Sequence, residues 1–316
     1  MNLTYSVLIA TRNRPEKLAT TLRSLANSTI KPTQIIVISS GDQIISVINE
    51  FKGEIALTHI HIEGRGQIRQ KIEGVKLILP WVDWVAFLDD DVILEPNAIA
   101  NMFNTISNYP DNSRILGVGF SERAAPVNSP GKFINIFYHV FGISTHRKGV
   151  VLSNGQSNNY MNSDVLLKTS WLNGAAMWRR EIAATYELPF LGAAYSACED
   201  LIFSYKQSKK GLLLVDPTSQ FSFQENAEMP QTNIDFFSAS TYWRMYFVLT
   251  NRELSITSFL WAQIGRTVRI IFSARGSLRE KLKFSYDAIK ILIDVYVLAL
   301  RKVSPIEILE KRQNNT

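Results

Sequence analysis

The sequence predicts an α/β fold, a mostly parallel sheet flanked by helices, followed by a helical C-terminal extension. Three observations support this. Apolar runs rich in β-branched residues alternate with helix-period segments over the first half of the chain, an acidic triplet closes one of those runs, and from about residue 233 only helical periodicity remains. Strand–helix alternation on this scale places helices on both faces of a sheet.

The first strand is YSVLIAT (5–11), and the helix after it carries Leu18, Leu22 and Leu25 on one face, with Pro15 near its start. QIIVISS (34–40) is a second strand, and a short helix continues through Phe51. IALTHIHI (55–62) alternates, which predicts a third strand nearer an edge. Ile68, Ile72, Val75 and Leu79 recur at helical spacing in GQIRQKIEGVKLIL. WVAFL is a fourth, buried strand and PNAIANMFNTI the next helix. Regular alternation stops after RILGVGF (114–120). Residues 123–163 are rich in Asn, Ser, Pro and Gly around an aromatic island, FINIFYHVFGIS, the pattern of a substrate loop or mobile segment. Order returns with DVLLKTS, NGAAMWRREI, the helical EDLIFSYKQSKKG closed by Gly211, and a strand at LLLVD. The last segments, SFLWAQIGRTVRIIF and FSYDAIKILIDVYVLALRK, are amphipathic helices with basic punctuation.

At 316 residues, 46% hydrophobic and 20% charged, the chain is an ordinary globular protein of one large domain, or one domain with an appendage. A single cysteine, Cys198, excludes an internal disulfide framework and fits a reducing compartment. The first residues lack a basic stretch followed by a long apolar one, and no run reaches the ~18 apolar residues of a membrane-spanning helix. The expected location is cytoplasmic. The net charge of +6 is uneven, because the stretch from Arg244 to Arg312 carries the whole basic excess. That asymmetry points to an anionic partner, phospholipid or nucleic acid.

FLDDDV (87–92) sets three carboxylates at the mouth of a core strand. Their repulsion and desolvation cost free energy unless something positive sits there. One reading is a divalent metal, Mn²⁺ or Mg²⁺, which takes hard oxygen ligands from one or two carboxylates and completes its shell with substrate phosphates. Asp89 and Asp91, two apart on an extended segment, then point to one side. The other reading is a solvated acidic turn before the helix at Glu95–Pro96. Ligands of open α/β sheets bind outside the carboxyl ends of the strands, which favours the first.

Glu199 and Asp200 open a helix, where acids complement the dipole and where a general base could also stand. In GRGQIRQ (64–70), two glycines allow close backbone approach and Arg65 and Arg69 offer forks for phosphate. The stretch is neither a Walker loop nor the dinucleotide fingerprint. His59 and His61 read as one polar strand face, and Cys198 as a small buried residue.

Taken in order, these pieces resemble the family 2 glycosyltransferases, inverting enzymes of the GT-A (Rossmann-like) fold. SVLIATRNRPEKLATTLRSL resembles the family's opening strand, loop and helix, and QIIVISSGD its second strand. GRGQIRQKIEG resembles the approach to its Arg-Asn step, and WVAFLDDDVILEPNAI its metal strand. NGAAMWRREI…LG…CEDLIFSYKQSKKG resembles its acceptor-side elements. The resemblance covers roughly residues 5–225, and YWRMYFVLTNR (242–252) resembles the helix after the catalytic domain in polysaccharide-assembling members. It implies a catalytic domain over 1–230, with a nucleotide-binding half (1–122) and an acceptor half (123–230). A helical extension over 231–316 would meet the membrane.

The resemblance also implies roles. Asp91 and Asp89 would hold the metal, and Asp89 and Asp90 would lie near the ribose and diphosphate. Thr11, Arg12, Asn13, Arg14 and Asp42 would bind the nucleoside, and Arg69 the diphosphate. Asn173, Gly174 and Trp178 would form the acceptor side, and Asp200, with Glu199 beside it, the base. The implied donor is a nucleotide-sugar, a UDP-sugar first, and the acceptor a glycan or lipid-linked glycan in cell-surface polysaccharide assembly. An oligomer is compatible with this.

The chain departs from the pattern in four places. Ser39 and Ser40 stand where the family carries a base-reading Asp, with Asp42 slightly later. The Arg-Asn step is Arg69-Gln70. Gln224 is the nearest polar residue to an absent His, and Gln-X-X-Arg-Trp is missing. A sugar-1-phosphate nucleotidyltransferase would carry a glycine-rich basic loop where TRNRPEK stands. A non-catalytic carbohydrate- or nucleotide-binding relative of the same fold would not need both acidic pairs and Arg69. The basic tail lacks a nucleic-acid reader module. Its amphipathic helices fit either a peripheral position on the inner membrane face or packing against protein.

Overall fold

The first strand, β1 (Tyr5–Arg12), leads into α1 (Pro15–Ala26), β2 (Gln34–Ser40) into α2 (Ile45–Glu50), and β3 (Leu57–His61) into α3 (Gln67–Val75). β4 (Trp84–Asp89) turns through Asp90 and Asp91 into the short β5 (Val92–Leu94), then α4 (Ala98–Asn108) and β6 (Ile115–Glu122). After α5 (Lys132–Val140) come β7 (Leu167–Thr169), β8 (Ala176–Arg179), α6 (Arg180–Ala183), α7 (Glu199–Ser208) and β9 (Leu212–Phe223). The chain ends in α8 (Ile234–Thr250), α9 (Ile256–Ile271), α10 (Leu278–Leu300) and α11 (Pro305–Asn314). These elements come from a computed structural model that describes residues 3–64, 66–123, 131–160, 163–189, 196–224, 233–272 and 277–314.

The nine strands of the described residues join one sheet in the order β3-β2-β1-β4-β8-β6-β9-β5, with β7 paired to β9. The β3-β2-β1-β4 half is parallel, as the alternation predicts. The other half is mixed. β8 runs antiparallel to both β4 and β6, β5 and β7 run antiparallel to β9, and β6 and β9 are parallel. β3 lies at the sheet edge, where its alternating pattern placed it.

The chain divides into two compact units. Met1–Ala125, Asn159–Gly192 and Asp200–Asn226 form the first, which contains the sheet. Pro126–Asn158, Ala193–Glu199 and Ala227–Thr316 form the second. The aromatic island of the sequence folds as α5 and belongs to the second unit.

In the first unit, the leucines of α1 and Ile99, Met102 and Phe103 of α4 share one core with Val7, Ile9, Ile35 and Val37. On α3, Gly74 packs where a methyl group would lie 2.1 Å from Leu8 Cδ1, so only glycine lets this helix seat so closely on the sheet. The close seating lets the buried Gln70 donate from Nε2 to the carbonyls of Thr11 (2.6 Å) and Ile38 (2.9 Å). Gln70 thereby ties the ends of β1 and β2, satisfying groups that would be costly to bury unpaired. Among the described residues, no helix is long and apolar enough to cross a membrane.

Candidate active site

The candidate residues collect where β1, β2 and β4 end. Thr11, buried at the end of β1, donates from Oγ1 to Asp90 Oδ2 (2.7 Å), and Arg14 donates to Asp90 Oδ1 (3.1 Å). The Asp90 carbonyl accepts from Thr21 Oγ1 of α1 (2.8 Å). Asp91 Oδ2 lies 3.5 Å from Lys17 Nζ and 3.6 Å from Arg14. Burial pushes the Asp90 carboxyl up, against the pull of Thr11 and Arg14. The chain turns at Asp90–Asp91, so Asp89 and Asp91 do not share a face of an extended strand as expected. Asp90 braces this turn, and Asp91 faces the start of α1.

Asn13 adopts φ 54°, and its Oδ1 accepts the Asp42 N–H (2.9 Å). A methyl on the intervening Gly41 (φ 78°) would lie 2.0 Å from that oxygen. This clasp fixes the two loops against each other and brings Asn13 and the exposed Asp42 to the rim beside Arg12.

Asp89 closes β4 on the other side of the turn. Gln67 donates to its Oδ1 (3.0 Å), and Gly174 faces it so closely that a methyl would lie 2.4 Å from Oδ2. Burial pushes the Asp89 carboxyl up to about 6; Lys71 opposes the shift, while Asp200, Asp91 and Asp90 add to it. Lys71 is 1% exposed along its side chain, and its Nζ lies 3.2 Å from Asp200 Oδ1. Asp200 sits in the first turn of α7, where the helix dipole also favours a carboxylate. One buried cation therefore lies near both carboxylates, Asp89 and Asp200, which are 111 residues apart in sequence. Cys198 just before α7 holds φ 78°, a strained conformation of the kind that clusters at functional sites.

Asn173 completes the wall. Its Oδ1 accepts from Tyr160 Oη (3.1 Å), and its N–H donates back to that oxygen (2.5 Å). Burial pushes the Tyr160 hydroxyl's pKa up, keeping it protonated as a donor. Gln224, the candidate in place of the absent His, reaches the same turn. Its N–H donates to the Asp91 carbonyl and its Nε2 to the Lys17 carbonyl, both at 2.9 Å.

Some expected residues stand elsewhere. Arg69 donates to the Glu63 carbonyl (3.0 Å), on its own loop. Trp178 is a buried core residue, edge-on to Phe203 of α7 at 4.9 Å, so it supports the helix that carries Asp200. Arg65 lies outside the described residues. Ser39 Oγ meets His59 Nε2 (2.8 Å) and His61 Nδ1 (3.1 Å), giving the polar strand face that the HIHI pattern suggested. Sequence reasoning missed Lys17, Gln67 and Lys71. A lysine in an otherwise apolar helix face was the available signal for the last of these.

Two predictions follow from the Asp89 pocket. Gly174→Ala should displace the Asp89 carboxylate and weaken the binding of any ligand or cation held by it by up to about 100-fold, as a misplacement near 1 Å can. Titration calorimetry would check this. Asp89→Asn should stabilise the metal-free protein at neutral pH by at most roughly 3 kcal/mol, the disfavour of the charged form implied by a value near 6. The folded wild type binds this proton more readily than the unfolded chain does between about pH 4 and 6. Its stability therefore falls as pH rises through that window, and the variant's advantage disappears below it. Urea unfolding in EDTA across this range measures the difference.

Among the described residues, no three His, Cys, Asp or Glu side chains converge to hold a metal unaided. Burial raises Asp89 most and Asp200, Asp91 and Asp90 add to it; a cation would offset both, and one or two carboxylates suffice when a diphosphate supplies the other ligands.

A parallel half whose strand ends carry an acidic triplet, joined to a mixed half, is the arrangement of the GT-A fold. Residues 6–151, a little under half of the chain, match the model described as glycosyl transferase family 2. The glucosyl-dolichyl phosphate glucuronosyltransferase of Haloferax volcanii is 27% identical over 146 residues, 45% of this chain and 45% of that protein's length. Two solved structures share the fold. S. aureus TarS 1–349 has a TM-score of 0.53 at 12% identity, covering 94% of this chain and 90% of that one. The mannosyltransferase PcManGT of Pyrobaculum calidifontis has a TM-score of 0.54 at 13% identity, covering 94% and 86%.

Proposed function

We propose that the protein is a metal-dependent, inverting glycosyltransferase that moves a sugar from a nucleotide-sugar to a glycan or lipid-linked acceptor in cell-surface polysaccharide assembly. The observation that carries this reading is the pairing of Asp89 and Asp200 around the buried Lys71, at strand ends where Asp91, Thr11 and Asn13 also converge. PcManGT was solved with GDP-Man and Mn²⁺ and TarS 1–349 with UDP, which supports a nucleotide-sugar donor and a divalent cation. The Haloferax relative's lipid-phosphate substrate agrees with a lipid-linked acceptor.

Asp89 and Asp91 would hold Mn²⁺ or Mg²⁺, which supplies positive charge to a leaving diphosphate. Asn13, Arg12 and Asp42 hold the nucleoside at the rim, and Asp90, through Thr11 and Arg14, fixes the turn that aims Asp89 and Asp91. The 2.8–3.1 Å contacts of Ser39 with His59 and His61 offer polar groups where a family Asp would read the base. Lys71, with its Nζ 3.2 Å from Asp200 Oδ1, holds that carboxylate at the start of α7. Asp200, with Glu199 beside it, accepts the proton of an acceptor hydroxyl while that oxygen attacks the anomeric carbon. The bond to the diphosphate breaks on the opposite face, its electron pair leaves with the nucleoside diphosphate, and the anomeric centre inverts.

Calorimetric titration of a panel of sugar nucleotides, with Mn²⁺ and then with EDTA, tests the reading. Metal-dependent binding of one donor is expected. A folded protein that binds none would instead be a non-catalytic relative of the fold.

A further inference from the structure

The second unit leaves a broad apolar face uncovered. α10 has two apolar sides. Phe284, Ala288, Ile291, Leu292 and Val295 are buried. Leu282, Tyr286, Ile289, Ile293, Tyr296 and Leu300 form a second stripe, spaced alternately four and three residues apart, and all six are exposed. α9 adds the exposed Trp261 and Ile264, and α5 adds Phe133 (89% exposed), Ile136 and Val140 at helical spacing. An apolar groove of about 440 Å³ joins the first two stripes, with Ile264, Val268 and Ile271 on one wall and Ile289, Ile293 and Tyr296 on the other. α5 is fixed to α9 because the Trp261 indole N–H donates to the Val140 carbonyl (2.8 Å) and its ring stacks on Phe141 at 4.7 Å. A methyl on Gly265 would meet Phe141 at 2.4 Å, so this docking requires the glycine.

We infer that this face rests on the surface of an anionic lipid bilayer. The charges around the α10 stripe select that occupant. Lys283 and Lys290 follow Leu282 and Ile289 and flank the stripe, whereas Asp287 and Asp294 lie farther round the helix. Lys290 Nζ sits 4.3 Å from the Tyr286 ring centroid, its stem along the apolar surface and its charge at the edge, the posture of a lysine at a membrane boundary. A second copy of α10 would not satisfy these lysines. In a parallel pair they would meet Leu278 and Ser285, and in an antiparallel pair each other. Trp261, Tyr286 and Tyr296 are the amphipathic rings that concentrate at headgroup depth. No described helix spans a bilayer, so the contact is with its surface. The inference stands apart from the glycosyl-transfer reading, and its failure leaves donor binding untouched.

The test is co-sedimentation of the full-length protein with phosphatidylcholine vesicles and with vesicles that also contain phosphatidylglycerol. The protein should pellet with the mixed vesicles, less so as salt rises. Lys283→Glu/Lys290→Glu should lower apparent affinity at least about tenfold. Ile289→Ser/Ile293→Ser should weaken binding at low and high salt alike, with circular dichroism unchanged because all four side chains are exposed. The inference is overturned if folded wild-type protein stays in solution with the mixed vesicles. It is also overturned if the isoleucine pair has no effect on pelleting. A concentration-dependent dimer that the isoleucine pair dissolves, without vesicle binding, would assign the face to a second copy instead.

Discussion

Asp200→Asn lowers turnover by on the order of 10²–10⁴-fold, the usual contribution of a positioned general base, while donor Kd stays at the wild-type value. The amide keeps the size of the carboxylate and its place in the first turn of α7, but it cannot accept the acceptor's proton. Lys71 loses its 3.2 Å partner but keeps the field of Asp89, so the fold should survive, as circular dichroism would verify. A companion variant separates the base from its setting. Lys71→Met removes a buried cation near Asp89 and Asp200, which raises the Asp89 carboxyl further. The acidic limb of the pH–rate profile should then move to higher pH. Near-normal transfer by Asp200→Asn would show that the base lies elsewhere.

Asp91→Ala removes metal-dependent donor binding. The expected loss exceeds the roughly 10–100-fold that follows from removing even an outer-shell partner of a metal. In EDTA the variant and the wild type should bind donor equally poorly, because the carboxylate acts through the cation. The variant also releases Lys17 and Arg14, which lie within 3.6 Å of Asp91. Lys17→Met therefore serves as a control: it loses the ion pair but keeps the carboxylate, so Mn²⁺ dependence should persist. An Asp91→Ala protein with wild-type Mn²⁺ dependence would leave Asp89 as the sole carboxylate of the pair that needs the cation.

The question posed by the acidic triplet has a two-part answer in the fold. Arg14 and Lys17 offset Asp90 and Asp91, and Lys71 partly offsets Asp89. Asp89 stays raised to about 6 despite that lysine, which leaves a role for an added cation. The arrangement resembles many active sites in holding charge at a cost in stability, and that cost is what Asp89→Asn should relieve.

Local pattern was enough for most elements and for the acidic ends of β4 and α7, but not for α5, which forms inside the stretch read as irregular. Apolar period and strand-end position depend on near neighbours, so they can be read along the chain. The ordered resemblance to family 2 was legible for the same reason, as its segments are short and contiguous. What local pattern could not supply was direction and partnership. Arg69 reads as a phosphate fork by type and spacing, but its partner in the fold, the Glu63 carbonyl, could not be read from either. Trp178 reads like an acceptor-side aromatic, but the face of β8 that carries its indole packs against Phe203 of α7, which buries it.

By itself, the sequence determined a parallel half, the strand end that carries Asp89–Asp91, the helix start that carries Asp200, and a basic helical tail. Only the tertiary structure decided that Lys71 of α3 lies between Asp89 and Asp200, and that α10 keeps one apolar side buried and the other bare. The reason is physical in both cases. A buried charge is tolerated only where distant segments bring it a partner, and a helix with two apolar sides hides whichever one its neighbours reach first. Both outcomes depend on packing between elements far apart in the chain, which periodicity does not record.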